Sequence, residues 1–380
     1  MKNIVITALS IAAISLTSCS TTQKTASVQS PQTLKEGFKN HFYVGAAINL
    51  DAIHNNDKKA VAIIENQFNS IVAENCMKSM FLQPKEGEFF FDDADQFVAF
   101  GQKNKMFIIG HCLVWHSQAP DWFFTDKEGK NVSAEVLKQR MKKHITTVVS
   151  RYKGKIHGWD VVNEAIMEDG SYRKSKFYEI LGEEFIPLAF QYAHEADPNA
   201  ELYYNDYNEW HKGKVETVVK LIADLKSRGI RIDGMGLQTH VGLDYPTIEE
   251  YEKAIIAYTN AGVKVSSTEL DISALPSPHK ISSNIADTQA YEKELNPYTS
   301  GLSETATTKW EKRYMDFFSL FLKHKDKVKR VTQWGVTDID SWKNDFPIKG
   351  RTDYPLLFDR KYQTKPIVKK LIQLAEEKKN

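Results

Sequence analysis

A chain of 380 residues, 42% hydrophobic and 26% charged, has the make-up of a folded, water-soluble enzyme, and its length suits one large domain or two average ones. The formal net charge of +1 gives no electrostatic footprint for nucleic acid or for an anionic membrane surface. Aromatic residues make up 11%, with 7 Trp and 16 Tyr; such rings mostly fill cores, but flat rings also stack on sugar faces.

The first residues read as a targeting segment. Lys2 is followed by an apolar run over 4–16, too short to span a bilayer. The run ends in Leu16-Thr17-Ser18-Cys19, which resembles the lipobox of bacterial lipoproteins. That resemblance implies a signal peptide over 1–18 and lipidation of Cys19 as the first mature residue, with multiple acyl chains giving a stable anchor. The alternative is a plain secretory signal cleaved near Ser18. Residues 19–37 are rich in Ser, Thr and Gln without apolar periodicity and read as a flexible tether. No acidic run follows Cys19, so the expectation is an exported enzyme anchored to the outer membrane on its periplasmic face. Cys76 and Cys112 lie in no C-x-x-C or Cys/His metal spacing and read as buried free thiols, with a disulfide left open.

From residue 38 to the end, short β-rich runs alternate with amphipathic ones. Strands are predicted at 42–48, 68–72, 106–113, 156–162, 201–205, 234–239, 263–268 and 330–334. Helices are predicted at about 57–67, 93–104, 133–152, 176–196, 212–228, 247–261, 308–324 and 365–378. Ser133 and Thr247 stand where helix caps belong. Runs such as Met106-Phe107-Ile108-Ile109 lack strict alternation, as strands buried on both faces do. Eight β-then-α units fit a single (β/α)8 TIM barrel over 38–380. The open doubly wound alternative would carry a G-x-G-x-x-G after its first strand, and none is present. The connection from Asp271 to about Thr307 is long enough to be functional and is expected to shape a cleft.

The strand ends are the informative positions. They read Glu74-Asn75-Cys76-Met77-Lys78, then His111 to Gln118, then Trp159 to Glu164, then Asn205-Asp206-Tyr207-Asn208. The last three are Gln238-Thr239-His240, Thr268-Glu269-Leu270-Asp271 and Gln333-Trp334-Gly335. One such Glu or His is usually an ordinary loop residue. Seven polar ends converging on the C-terminal face of a barrel make an active-site cup. No H-E-x-x-H and no G-x-S-x-G occurs, so neither a metal site nor a serine nucleophile is indicated. Carboxylates among amides, imidazoles and indoles remain, which is the equipment for cleaving a glycosidic bond. Glu164 and Glu269 end the fourth and seventh strands, across the barrel from each other. Whether they work with retention or inversion depends on a separation that sequence does not give.

In that order and spacing, these segments resemble glycoside hydrolase family 10, the endo-β-1,4-xylanases, over nearly all of 38–375. The resemblance implies a retaining enzyme with Glu164 as acid/base and Glu269 as nucleophile. It places His240 beside the nucleophile, oriented by Asp271, and assigns Asn163 to the sugar 2-hydroxyl. Glu74, Asn75, Lys78, His111, Trp115, Gln118 and Gln238 would line the glycone subsites. Trp334 and Trp342 would floor and roof the cleavage point, and Tyr207 would be an aromatic platform on the leaving-group side. Lys78 is followed by Ser79-Met80 where many members have Trp-Asp, which should alter packing beneath the glycone subsites; Cys112 replaces a Thr. The expected partners are xylan and xylo-oligosaccharides, with the chain a monomer, no cofactor, and a membrane contact only through Cys19. Two rivals stand: a hydrolase of another β-glycan, and a non-catalytic glycan-binding lipoprotein, which should have lost one carboxylate.

Overall fold

The computed structural model describes residue 1 and residues 32–276, 295–347 and 349–378. The segment predicted as a signal peptide after Met1, Cys19 and the predicted tether through residue 31 lie outside the described residues, as do residues 277–294 of the long connection. The last part of the predicted tether is not a flexible segment: Thr33 forms a capping box at the start of a short helix, Leu34–Gly37, and Leu34 is buried in the core, its N–H donating to Gln67 Oε1 at 3.1 Å.

Eight strand positions close into a parallel barrel. They are β1 (Tyr43–Ile48), β2 (Ser70–Ala73), β3 (Phe107–Trp115), β4 (Gly158–Asn163), β5 (Glu201–Asp206), β6 (Gly234–Leu237), β7 (His240–Gly242), β8 (Lys264–Ser273) and β9 (Val328–Gln333). β1 pairs with both β2 and β9, and β8 pairs with both β9 and β6, which closes the ring. β6 and β7 share one position, because both pair with β8 on either side of Gln238 and Thr239. Every residue of β2, β4 and β6 is buried, so the absence of alternation in these segments reports a sheet covered on both faces.

The helices follow the predicted order, with local differences that have visible causes. Ser133 caps Ala134–Arg151, and Thr247 forms a capping box with Glu250 at the start of Ile248–Asn260. The stretch predicted as one helix over 176–196 is two, Lys176–Leu181 and Phe185–Ala196. Gly182, at φ 62, terminates the first in a conformation that glycine adopts without a Cβ clash. Ser303 caps Glu304–Lys323, which begins before the predicted 308. β8 runs on to Ser273, beyond the predicted 268, because His240–Gly242 supplies it with a further partner. Glu269 and Asp271 therefore sit within a strand, on one face of it, two residues apart.

The bulk of the core lies between strands and helices, while Ala47, Val72, Phe107, Ile109 and Tyr203 form a separate small cluster with Trp334 against it. Asp160 and Arg330, both about 1% exposed, stand 3.6 Å apart. The cup thus has a filled base rather than a pore. Cys76 and Cys112 are buried and unbonded, in line with the sequence reading.

Candidate active site

Strand register brings the polar ends to one level. Trp115 on β3 is opposite Asn163 on β4, Asn163 is opposite Asn205 on β5, and Asn205 is opposite Gly236 on β6. The glycine is required: a Cβ at Gly236 would stand 2.2 Å from Asn205 Oδ1. The freed space lets Asn205 Nδ2 donate to Glu269 Oε1 at 2.8 Å and to Asn163 Oδ1 at 2.9 Å. Thr268 Oγ1 donates to Asn205 Oδ1 at 2.7 Å, which fixes the orientation of the amide.

Glu269 is 5% exposed and meets a second partner, His240, whose Nε2 lies 3.2 Å from Oε2. The other ring nitrogen of His240 is 2.8 Å from Asp271 Oδ2. Burial works against a charge on His240, but Asp271 and Glu269 outweigh it and raise the imidazole to about 9. Burial alone would also raise Asp271; His240 and Lys343 instead bring it down to about 2. Lys343 reaches Asp271 Oδ1 at 2.7 Å, and the Trp342 indole donates to Asp271 Oδ2 at 2.8 Å. Asp271 is therefore the anchor of a chain that ends with a charged imidazolium against Glu269.

Glu164 is held differently. Trp115 Nε1 donates to its Oε2 at 2.9 Å, while Asn163 Nδ2 and Gln238 Nε2 donate to Oε1 at 3.1 and 3.0 Å. These donors are all neutral. Glu164 itself stands just past β4 at φ 58, a left-handed conformation that costs a non-glycine residue roughly 1–3 kcal/mol. Two carboxylates in one cup thus have different company, which is how one site sustains two carboxylate roles.

These groups line a cleft of about 1130 Å³. Glu74, Asn75, Lys78, His111 and Trp115 form one part of its wall, as expected. Lys78 Nζ donates to Asn75 Oδ1 at 3.0 Å and lies 4.8 Å from the centroid of the Trp115 ring. Burial raises Glu74 above the usual carboxylate range despite the nearby Lys78 ammonium. At the base, Asp160 Oδ2 lies 2.9 Å from His111 Nδ1, and Trp334 meets the His111 ring edge-on at 5.4 Å. Trp342 is 40% exposed at the rim, with its ring 5.2 Å from that of His240. Tyr207 also lines the cleft, its ring covered from one side by Lys214 Nζ at 4.3 Å. Lys214 in turn pairs with fully buried Asp206 at 2.7 Å, fixing the turn that carries Tyr207.

Gln118 is not brought into the cleft. Its carbonyl accepts from Met80 N at 3.0 Å and Ser79 Oγ at 3.1 Å, tying it to the segment after Lys78. Here the replacement of Trp-Asp by Ser79-Met80 becomes visible: Ser79 is buried and bonded, whereas Met80 is 41% exposed. Leu275 and Pro276 bring the start of the long connection to the cleft wall, as anticipated.

Several contributors lie beyond the sequence reading. Asn205 ends a strand and was visible as such, but its contact with Glu269 depends on register. Lys343 needs the fold to reach Asp271. Glu209, fully buried, accepts the Thr239 N–H at 3.1 Å and so holds the left-handed Thr239 (φ 63) that interrupts β6 and β7. Arg173 touches the backbone of Glu164, nine residues away in sequence, with no motif to announce it.

Fold and site together define a class, the barrel glycoside hydrolases. Residues 33–374 match glycosyl hydrolase family 10. Endo-1,4-beta-xylanase A of Xylanibacter ruminicola is 51% identical over 352 residues, spanning 92% of this chain and 95% of that one. The endo-1,4-beta-xylanase of Geobacillus stearothermophilus is 40% identical over 347 residues, 90% of this chain and 98% of its own. Among solved structures, a GH10 endoxylanase from a sugarcane soil metagenome superimposes with a TM-score of 0.85 at 45% identity, covering 91% of this chain and all (100%) of that one. The chain belongs to glycosyl hydrolase family 10.

Proposed function

We propose that the chain is a retaining endo-β-1,4-xylanase, with Glu269 as nucleophile and Glu164 as acid/base. The observation that carries the assignment of roles is the contrast in partners. The imidazolium of His240 lies against Glu269, which suits a carboxylate that must be ionised when it attacks. The Glu164 carboxyl accepts from the neutral donors of Trp115, Asn163 and Gln238, which suits a group that changes protonation state during the cycle.

In the first step Glu269 bonds to the anomeric carbon while the glycosidic C–O bond breaks, and Glu164 passes its proton to the departing oxygen. In the second, Glu164 takes a proton from water as that water bonds to the anomeric carbon and the ester to Glu269 breaks, restoring both groups. Asn163 has a second amide hydrogen available for the sugar 2-hydroxyl, a contact that strengthens as positive charge develops on the ring. Trp334 and Trp342 provide flat apolar faces below and above the reacting sugar.

Xylose lacks the C6 hydroxymethyl of glucose. Lys78 and Trp342 are both in the cleft wall, and the proposed xylan specificity has them exclude that group. On oligosaccharides of equal length, kcat/KM for the xylo series should exceed that for the cello series by at least about 10-fold. Equal values would favour a broader β-glycan hydrolase instead.

The amino-terminal reading is part of the same proposal. The basic residue, short apolar run and Leu16-Thr17-Ser18-Cys19 support export and lipidation at Cys19, anchoring the enzyme to the outer membrane with xylan-derived oligosaccharides as its substrates there. Cys19→Ser should abolish incorporation of labelled palmitate and move the enzyme from the membrane to the soluble fraction. Unchanged labelling in that variant would refute the anchor.

A further inference from the structure

We propose that Arg173 is a positioning residue for Glu164: its guanidinium clamps the main chain of the proton donor to the hydroxyl of Tyr207. The proposal rests on the acid/base reading of Glu164.

A left-handed non-glycine residue persists only where its surroundings over-determine it. At Glu164 both flanking peptide groups are fixed. Its N–H donates to Asn205 O at 2.9 Å, and its carbonyl accepts from Arg173 Nε at 2.8 Å. The chain between them turns back on itself: Ile166 and Tyr172 form an antiparallel bridge, and Arg173 N donates to Ala165 O at 2.8 Å. Thr217 Oγ1, donating to Gly170 O at 2.8 Å, braces the tip of this turn. Arg173 therefore sits on the returning arm of a hairpin whose outgoing arm starts at Glu164.

The guanidinium makes a second contact. Its Nη2 donates to the Tyr207 hydroxyl at 2.7 Å, and its central carbon lies 5.8 Å from the centroid of the Tyr207 ring. Nε and Nη2 form one edge of the planar group, so the Glu164 carbonyl and the Tyr207 hydroxyl are read by a rigid two-pronged fork. A lysine ammonium keeps the charge but cannot reproduce that edge. The fork thus joins the main chain of the proton donor to an aromatic in the cleft wall. Losing it frees the carbonyl of a strained residue and lets the Glu164 carboxyl drift from the oxygen it must protonate. Small misplacements of a reacting group are expensive in rate.

Two substrates separate this role from general support of the fold. Xylohexaose needs a proton on its leaving oxygen; 2,4-dinitrophenyl β-xylobioside releases a phenolate that needs none. Arg173→Met should lower kcat/KM on xylohexaose by at least about 10-fold. On the dinitrophenyl substrate the change should stay below about threefold. Arg173→Lys should show the same split at reduced size, and it carries the comparison if the Met variant does not fold. Equal losses on both substrates, or no loss on xylohexaose, would overturn the proposal. Glu164→Ala run alongside tests the underlying reading: if its kcat/KM on the dinitrophenyl substrate also collapses, the acid/base assignment fails, independently of what Arg173 does.

Discussion

Glu269→Ala is expected to eliminate turnover on every substrate, activated or not, lowering kcat/KM by on the order of 10⁴-fold or more. The reason is chemical: the first step needs a carboxylate to bond to the anomeric carbon, and no leaving group relieves that need. The neighbouring groups sharpen the prediction. With the carboxylate gone, the charged His240 loses one of its two acidic partners, and the Asn205 amide loses one of the two oxygens it donates to. Glu269→Gln keeps the shape but not the charge, so it should be nearly as inactive while unfolding closer to the parent temperature. Steady-state kinetics on xylan and on an aryl xylobioside, together with thermal unfolding, check both statements. Turnover of either substrate within 10²-fold of the parent, about 2.7 kcal/mol in barrier, would remove Glu269 from its role.

Glu164→Ala should behave in a different way. On xylan, where the leaving oxygen must be protonated, the loss should be roughly 10²- to 10⁴-fold. On 2,4-dinitrophenyl β-xylobioside, kcat/KM should stay close to the parent because formation of the ester no longer needs an acid. Hydrolysis of that ester still needs a base, so kcat falls and the ester accumulates. Azide, which needs no base, should then restore turnover and give the β-xylosyl azide. An α-configured azide, or no rescue, would contradict the second-step role of Glu164.

Much of this site was legible in the sequence because barrel strands end where active sites are built, and polar residues at seven strand ends needed a common explanation. Glu164, Glu269, His240, Asp271 and Trp342 are legible that way or through the family resemblance; the structure links the last four by hydrogen bonds and places Glu164 in the same cleft wall. What was hidden depends on relations between distant segments. That Asn205 holds Glu269 follows from the pairing of Asn205 with Gly236, a register that local periodicity does not encode. The break between β6 and β7 comes from a left-handed Thr239 whose N–H finds the buried Glu209, thirty residues earlier. Gln118, expected on the glycone wall beside Trp115 and His111, is not among the residues lining the cleft, and its main-chain carbonyl is tied to Ser79 and Met80. The divided helix around Gly182 was foreshadowed by the glycine, yet an isolated glycine in an apolar pattern is compatible with either outcome.

Catalysis is expected to pass through a covalent glycosyl ester on Glu269. Incubating the enzyme with 2,4-dinitrophenyl 2-deoxy-2-fluoro-β-xylobioside slows both steps but retains the good leaving group, so the ester should accumulate. Intact-protein mass spectrometry should then show one added fluoroxylobiosyl group, and peptide mapping should locate it on Glu269. An active enzyme that acquires no such mass, or that carries the label on Glu164, would rule out Glu269 as the nucleophile.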